Sequence, residues 1–220
     1  MINFWKIKDL HMKKMQFYFD FLSPFSYFAW KNMHKALSRS DLEIKYHPVL
    51  MGRLFKHFEF PGPGEITVKR NSELKKCFRM AHSLSIPFVP PSEFPFNPLA
   101  INRCATLAAA GDEQFKVIEL IYDSVWGRGM ILDDPELIKS LFASANINVD
   151  ILERSFAREA KNELKQNINS AIESDIFGVP TFKVENECFW GNDSIESVAN
   201  FLDGNDNWNK ELYTQLIKVK

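Results

Sequence analysis

The residues best placed to do chemistry gather in one short stretch, Asp20-Phe-Leu-Ser-Pro-Phe-Ser-Tyr27. Ser23 follows an aromatic, strand-favouring run, Gln16 to Phe21, and precedes apolar residues at Ala29, Trp30, Met33 and Leu37, whose spacing predicts a helix. Serine followed by proline suits the start of that helix. The hydroxyl accepts from a free N–H of the first turn, and Pro24 sits where a missing N–H costs nothing. The result is a small hydroxyl at the positive end of a helix dipole, where an anion is stabilised. Taken alone, the same pair does no more than begin a helix. The other candidates for chemistry are scattered. Cys77, Cys104 and Cys188 lack metal-ligand spacing and read as small buried hydrophobes that stay reduced, which points to a cytoplasmic setting. His11, His34, His47, His57 and His82 show no ligand spacing either, so no metal site and no histidine base are expected.

Positioning Ser23 takes a strand before it and a strand after its helix. Asp41-Leu-Glu-Ile-Lys-Tyr-His-Pro48 alternates apolar and polar residues and supplies the second, making a right-handed β-α-β unit with parallel strands. Val49 to Gly64, rich in proline and glycine at its end, is expected to be a loop. Helical patterns then run over Ile66 to Leu84, from Asn97-Pro98 to Gly111, over Glu113 to Val125, from Asp134-Pro135 to about Ala145, and once or twice between Asp150 and Ser174. Pro90 to Phe96 is a loop and Trp126 to Met130 a turn. Strands return at Phe177-Gly-Val-Pro-Thr-Phe-Lys-Val184 and Glu187-Cys-Phe-Trp190, joined by a hairpin at Glu185-Asn186. Ile195 to Leu202 is a last core helix capped by Asp193 or Ser194, and the polar tail after it holds a short helix at most.

A chain of 220 residues with 45% apolar content and a net charge of -1 is an ordinary globule without a basic footprint for nucleic acid. No apolar run is long enough to span a membrane, and the charged N-terminus lacks the apolar core of a signal peptide. Met12 is a candidate natural start. Twenty phenylalanines predict a core or pocket rich in aromatic rings. The fold class that follows is α/β: a thioredoxin-like core with a large all-helical insertion between its β-α-β and β-β-α halves. Residues 15–64 and 176–202 form the core, 65–175 the insertion, 1–14 an N-terminal extension and 203–220 a tail. At the helix start where such a core normally carries Cys-x-x-Cys, this chain reads Ser23-Pro-Phe-Ser26, so disulfide exchange through the motif is not available. Val179-Pro180 falls where that fold places a cis-proline loop facing the helix tip, with backbone groups free to pair with a peptide-like ligand.

Four separated motifs now carry a resemblance: Asp20 to Tyr27, Val125-Trp-Gly-Arg-Gly129, Phe177-Gly-Val-Pro-Thr181 and Phe189-Trp-Gly-Asn-Asp193. In this order, from about Met15 to Leu202, the chain resembles the 2-hydroxychromene-2-carboxylate isomerases and their relatives, the kappa-class glutathione transferases. The resemblance implies glutathione as cofactor, a homodimer, and a small hydrophobic aromatic substrate isomerised by reversible thiolate addition to a conjugated carbon. Net transfer to glutathione and a non-redox binding module are the alternatives. Residue by residue it implies that Ser23 hydrogen-bonds the glutathione sulfur, that Val179, with Pro180 after it, binds the cysteinyl part through its backbone, and that Asn192 and Asp193 hold the γ-glutamyl end. Lys69 faces the glycyl carboxylate, unless it and Arg70 are solvated charges. Phe25, Phe96 and Trp126 line the substrate pocket or belong to the core. Two departures stand out: Ser194 where the family often has arginine, and Phe60 where an asparagine is expected.

Overall fold

The computed structural model of the protein describes residues 12–217. His11 and nearly all of the expected N-terminal extension therefore lie outside the described residues. Strand β1 (Lys13–Phe19) leads into helix α1 (Pro24–Ala36), which returns the chain to β2 (Leu42–Pro48), parallel to β1. After the helical insertion, β3 (Thr181–Val184) pairs antiparallel with the other edge of β1, and a hairpin adds β4 (Glu187–Trp190). The strand order is β2-β1-β3-β4. β1 is buried on both faces because its side chains alternate between two cores. Met15, Phe17 and Phe19 enter the larger core, where the Phe17 ring lies 5.5 Å from Phe19 and 5.1 Å from Phe182. Tyr18 points the other way, into a smaller core with Val49, Leu54 and Val179.

The segment expected to be a loop from Val49 to Gly64 instead holds a short helix, α2 (Met51–His57), before a 3-10 turn at Pro63–Glu65. Its first residue is not capped locally, since Leu50 offers no side-chain acceptor; the Met51 N–H donates to Asp20 across 2.8 Å. Next comes α3 (Thr67–Leu84). The helix expected from Asn97-Pro98 to Gly111 is broken into α4 (Leu99–Cys104) and α5 (Leu107–Ala110). Thr106 caps the second piece through the Ala109 N–H, and Glu163 accepts from the Leu107 and Ala108 N–H groups. A break with two sets of caps satisfies donors that a continuous helix would have bonded internally. Helix α6 (Gln114–Tyr122) runs on into a π turn, Asp123–Gly127, so the turn expected at Trp126 begins earlier and is wound rather than open. Then follow α7 (Pro135–Ser144, capped by Asp134), α8 (Asp150–Ser155) and α9 (Arg158–Glu173). Beyond β4, a 3-10 turn (Asn192–Ser194) opens α10 (Ile195–Leu202), and the tail forms α11 (Lys210–Ile217). Neither Asp193 nor Ser194 makes a side-chain cap bond to α10. Among the described residues no helix is long and apolar enough to cross a membrane.

Two histidines are structural. His34 is half-buried among Trp30, Tyr46 and Phe115, and burial lowers its pKa, with Glu119 opposing. His47 stacks 5.0 Å from Tyr18 and pairs with Asn167 at 3.0 Å; burial lowers its pKa as well, and the Asn167 bond opposes. The unfolded chain takes up these protons near pH 6.5 while the folded chain resists them, so the stabilisation is complete above that pH and is lost as the pH falls below it. The melting temperature is expected to drop by roughly 2–4 °C between pH 7.5 and 5.5 in a calorimetric scan. His34→Phe, which keeps the ring contacts, should make the drop smaller.

Candidate functional site

The C-terminal end of β1 and the start of α1 fix Ser23. It sits in extended conformation as the cap of α1, its Oγ accepting from the Ser26 N–H at 3.2 Å, and its own hydroxyl reaches 3.4 Å to the Val179 carbonyl. The latter is long for a hydroxyl donor, so the proton is weakly held and available to another acceptor. Pro24 has no N–H and the Ser26 N–H is committed, which leaves the Phe25 N–H as the open donor of the first turn. The Val179–Pro180 peptide is cis and lies opposite the helix tip, with the Pro180 carbonyl held by the Gly191 N–H at 2.9 Å.

Ser23 and Val179 open on a cavity of about 480 Å³. Three kinds of wall meet there. Phe25 and Trp126 line it as expected, joined by Met51, Phe55, Phe60 and Phe94. Trp126 is anchored by its indole N–H, which donates to the Phe21 carbonyl at 2.8 Å, and by stacking on Phe88. Helix α3 forms a charged wall with Lys69, Arg70 and Glu73, where burial raises the Glu73 pKa against the pull of Lys69 and Lys76. The exposed rings of Phe177 and Trp190, 4.9 Å apart, make the outer rim beside Gly178.

The remaining predicted residues sit elsewhere. Phe96 does not line the cavity: it is buried in the main core, and Phe94 takes the place expected for it. Asn192 and Asp193 are on the 3-10 turn that packs against α1, next to the cavity rather than on its lining. The Asn192 side-chain N–H faces the Met80 sulfur at 3.9 Å, and Asp193 Oδ2 lies 4.0 Å from Lys76 Nζ. Cys77 reaches the cavity but is inert, its thiol pushed up to about 12 by burial, with the Glu73 carboxylate adding to the rise.

Asp20 is the residue that sequence reasoning left without a role. Its carboxylate is buried and accepts from the Leu22 N–H (3.0 Å), the Met51 N–H (2.8 Å) and the Asn102 side-chain amide (2.8 Å). Its pKa is raised by burial, with these three donors opposing the rise. Asp20 thereby ties the turn before Ser23 to α2, which lines the cavity, and to α4 behind it. Its one local signal was the spacing to Leu22, which suits an Asx turn.

Comparison with known proteins agrees with this architecture. The chain is 26% identical over 195 residues to a 2-hydroxychromene-2-carboxylate isomerase of Sphingobium xenophagum, covering 86% of this chain and 98% of the relative. It is 26% identical over 208 residues to glutathione S-transferase kappa 2 of Caenorhabditis elegans, covering 86% and 92%. A solved 2-hydroxychromene-2-carboxylate isomerase superposes with a TM-score of 0.77 at 25% identity, covering 94% of this chain and 99% of that one. The DSBA-like thioredoxin domain model matches residues 14–203, which takes in every strand and the whole of the insertion, and the chain belongs to that family.

Proposed function

We propose that the protein is a glutathione-dependent isomerase of a hydrophobic, conjugated aromatic substrate, of the 2-hydroxychromene-2-carboxylate isomerase type. The observation that carries the reading is Ser23 itself: a serine occupies the anion-stabilising tip of α1, beside the Val179 backbone, and opens on a cavity walled in part by aromatic rings. The donor set fits glutathione. A hydroxyl and a first-turn N–H suit an ionised sulfur, Val179 offers backbone groups to a peptide, Lys69 and Arg70 suit a carboxylate, and Asp193 suits an ammonium. Bound there, glutathione supplies the nucleophilic thiol that this helix tip lacks. Ser23 then holds negative charge on that sulfur by donating a hydrogen bond, while Phe25, Phe60, Phe94 and Trp126 exclude water and stack on a planar substrate. A homodimer in the cytoplasm belongs to the same reading.

A transferase is the second reading, favoured by the kappa-class relatives that match over nearly the same span. One experiment separates the two. The protein is mixed with reduced glutathione and 2-hydroxychromene-2-carboxylate, with product followed by absorbance and free thiol by titration. Isomerisation with thiol conserved is the expected result. Thiol lost in step with substrate gives transfer, and no calorimetric binding at millimolar glutathione removes both.

A further inference from the structure

Resting on that reading, we infer that Lys76 is a glutathione-binding residue, its ammonium holding the carboxylate at the amino-acid-like end of the tripeptide. Helix α3 carries Lys69 and Lys76 seven residues apart, so they share a face and stand about 10 Å apart along the axis. Lys69 lines the cavity. Lys76 lies beyond it, with Nζ 5.3 Å from the centre of the Phe25 ring and 4.0 Å from Asp193 Oδ2. Phe25 is in the first turn of the helix that Ser23 caps, and Asp193 is on the turn packed against that helix. Lys69 therefore shares the cavity with Ser23, and Lys76 reaches the ring two residues after it, which gives two cationic positions near the serine. A three-residue peptide spans about 10 Å when extended, enough to put a carboxylate at each and its central sulfur at the serine.

The charges also fix the direction. At one end, Lys69 and Arg70 are neighbouring cations, suited to a plain carboxylate. At the other, Lys76 and Asp193 set a cation beside an anion, which is the complement of an ammonium and a carboxylate on one carbon. The pair is not closed on itself: its 4.0 Å separation is well beyond a charge-assisted hydrogen bond, and both side chains are more than half exposed. Room for a third group remains. Within the turn no other cation is at hand, because Ser194 follows Asp193 and spends its hydroxyl on the Trp190 carbonyl at 2.5 Å. Lys76 brings the missing charge from α3.

Ligand truncation tests the assignment. Calorimetric titrations would use glutathione, γ-glutamylcysteine and cysteinylglycine against the parent, Lys76→Gln, Lys76→Arg and Lys69→Gln. Lys76→Gln is expected to weaken glutathione and γ-glutamylcysteine about five-fold, within the range of an exposed charge contact, and Lys76→Arg to recover most of that loss. Cysteinylglycine, which has no γ-glutamyl group, should bind Lys76→Gln and parent equally, however weakly. Lys69→Gln should show the reverse pattern, sparing γ-glutamylcysteine. Unchanged glutathione affinity in Lys76→Gln, or an equal loss for cysteinylglycine, overturns the role of Lys76 and leaves the glutathione reading standing. A parent that binds none of the three overturns both.

Discussion

Asp20→Ala is expected to destabilise the protein by about 3–5 kcal/mol, because it strands three buried donors at once and each costs on the order of 1–3 kcal/mol less relaxation. For a chain of this size the loss is a fall of roughly 10 °C in melting temperature. The donors are the N–H groups of Leu22 and Met51 and the amide of Asn102, which come from three different elements. Asp20→Asn should fall between the two: its oxygen keeps one side of the network, while its amide meets a donor on the other. Differential scanning calorimetry of both variants checks the order. An Asp20→Ala protein that melts within a degree or two of the parent would show that the carboxylate is not what holds these elements together.

Ser23→Ala has the largest expected effect on activity. Stability should fall by only about 1 kcal/mol, the usual worth of a helix cap. Turnover should fall about 100-fold, the lower range for removing one donor from a site of charge stabilisation. The cause can be separated from a loss of binding by pH: without the hydroxyl, the bound thiol ionises at higher pH, so the rising limb of kcat against pH moves to the alkaline side. Thiolate absorbance in the ultraviolet gives the same shift without substrate. A variant that keeps the parent's rate and profile would remove Ser23 from the chemistry.

What the sequence made legible follows a physical division. Ser23 and Pro24 announce α1 because the cap, the fixed φ and the apolar stripe are all within fourteen residues of chain. Asp134-Pro135 announces α7 in the same way. Helix α2 was hidden because its cap is Asp20, thirty-one residues upstream, and nothing in Val49-Leu50-Met51-Gly52 signals a start. The break between α4 and α5 was hidden for a related reason, since half of its capping comes from Glu163 on α9. Ser23 and Val179 could be placed close together from sequence because each sits in a local motif, and both open on one cavity. Phe55 could not, since only the folding of α2 around the helix tip brings it there. Phe94 and Phe96 show the limit most plainly: both pack on the main core, and only Phe94 also lines the cavity.

The strand order has a consequence for how the protein is made. β1 pairs with β2 on one edge, and its other edge is closed only by β3, where Met15 meets Val184. At ordinary rates of synthesis the ribosome adds the intervening helices over roughly ten seconds, during which the nascent sheet is a two-stranded ribbon with an apolar edge. Such an edge is a template for wrong pairing. Chains that end between Pro48 and Thr181 carry that open edge and should collect in the insoluble fraction on expression, whereas chains cut after Leu202 retain all four strands.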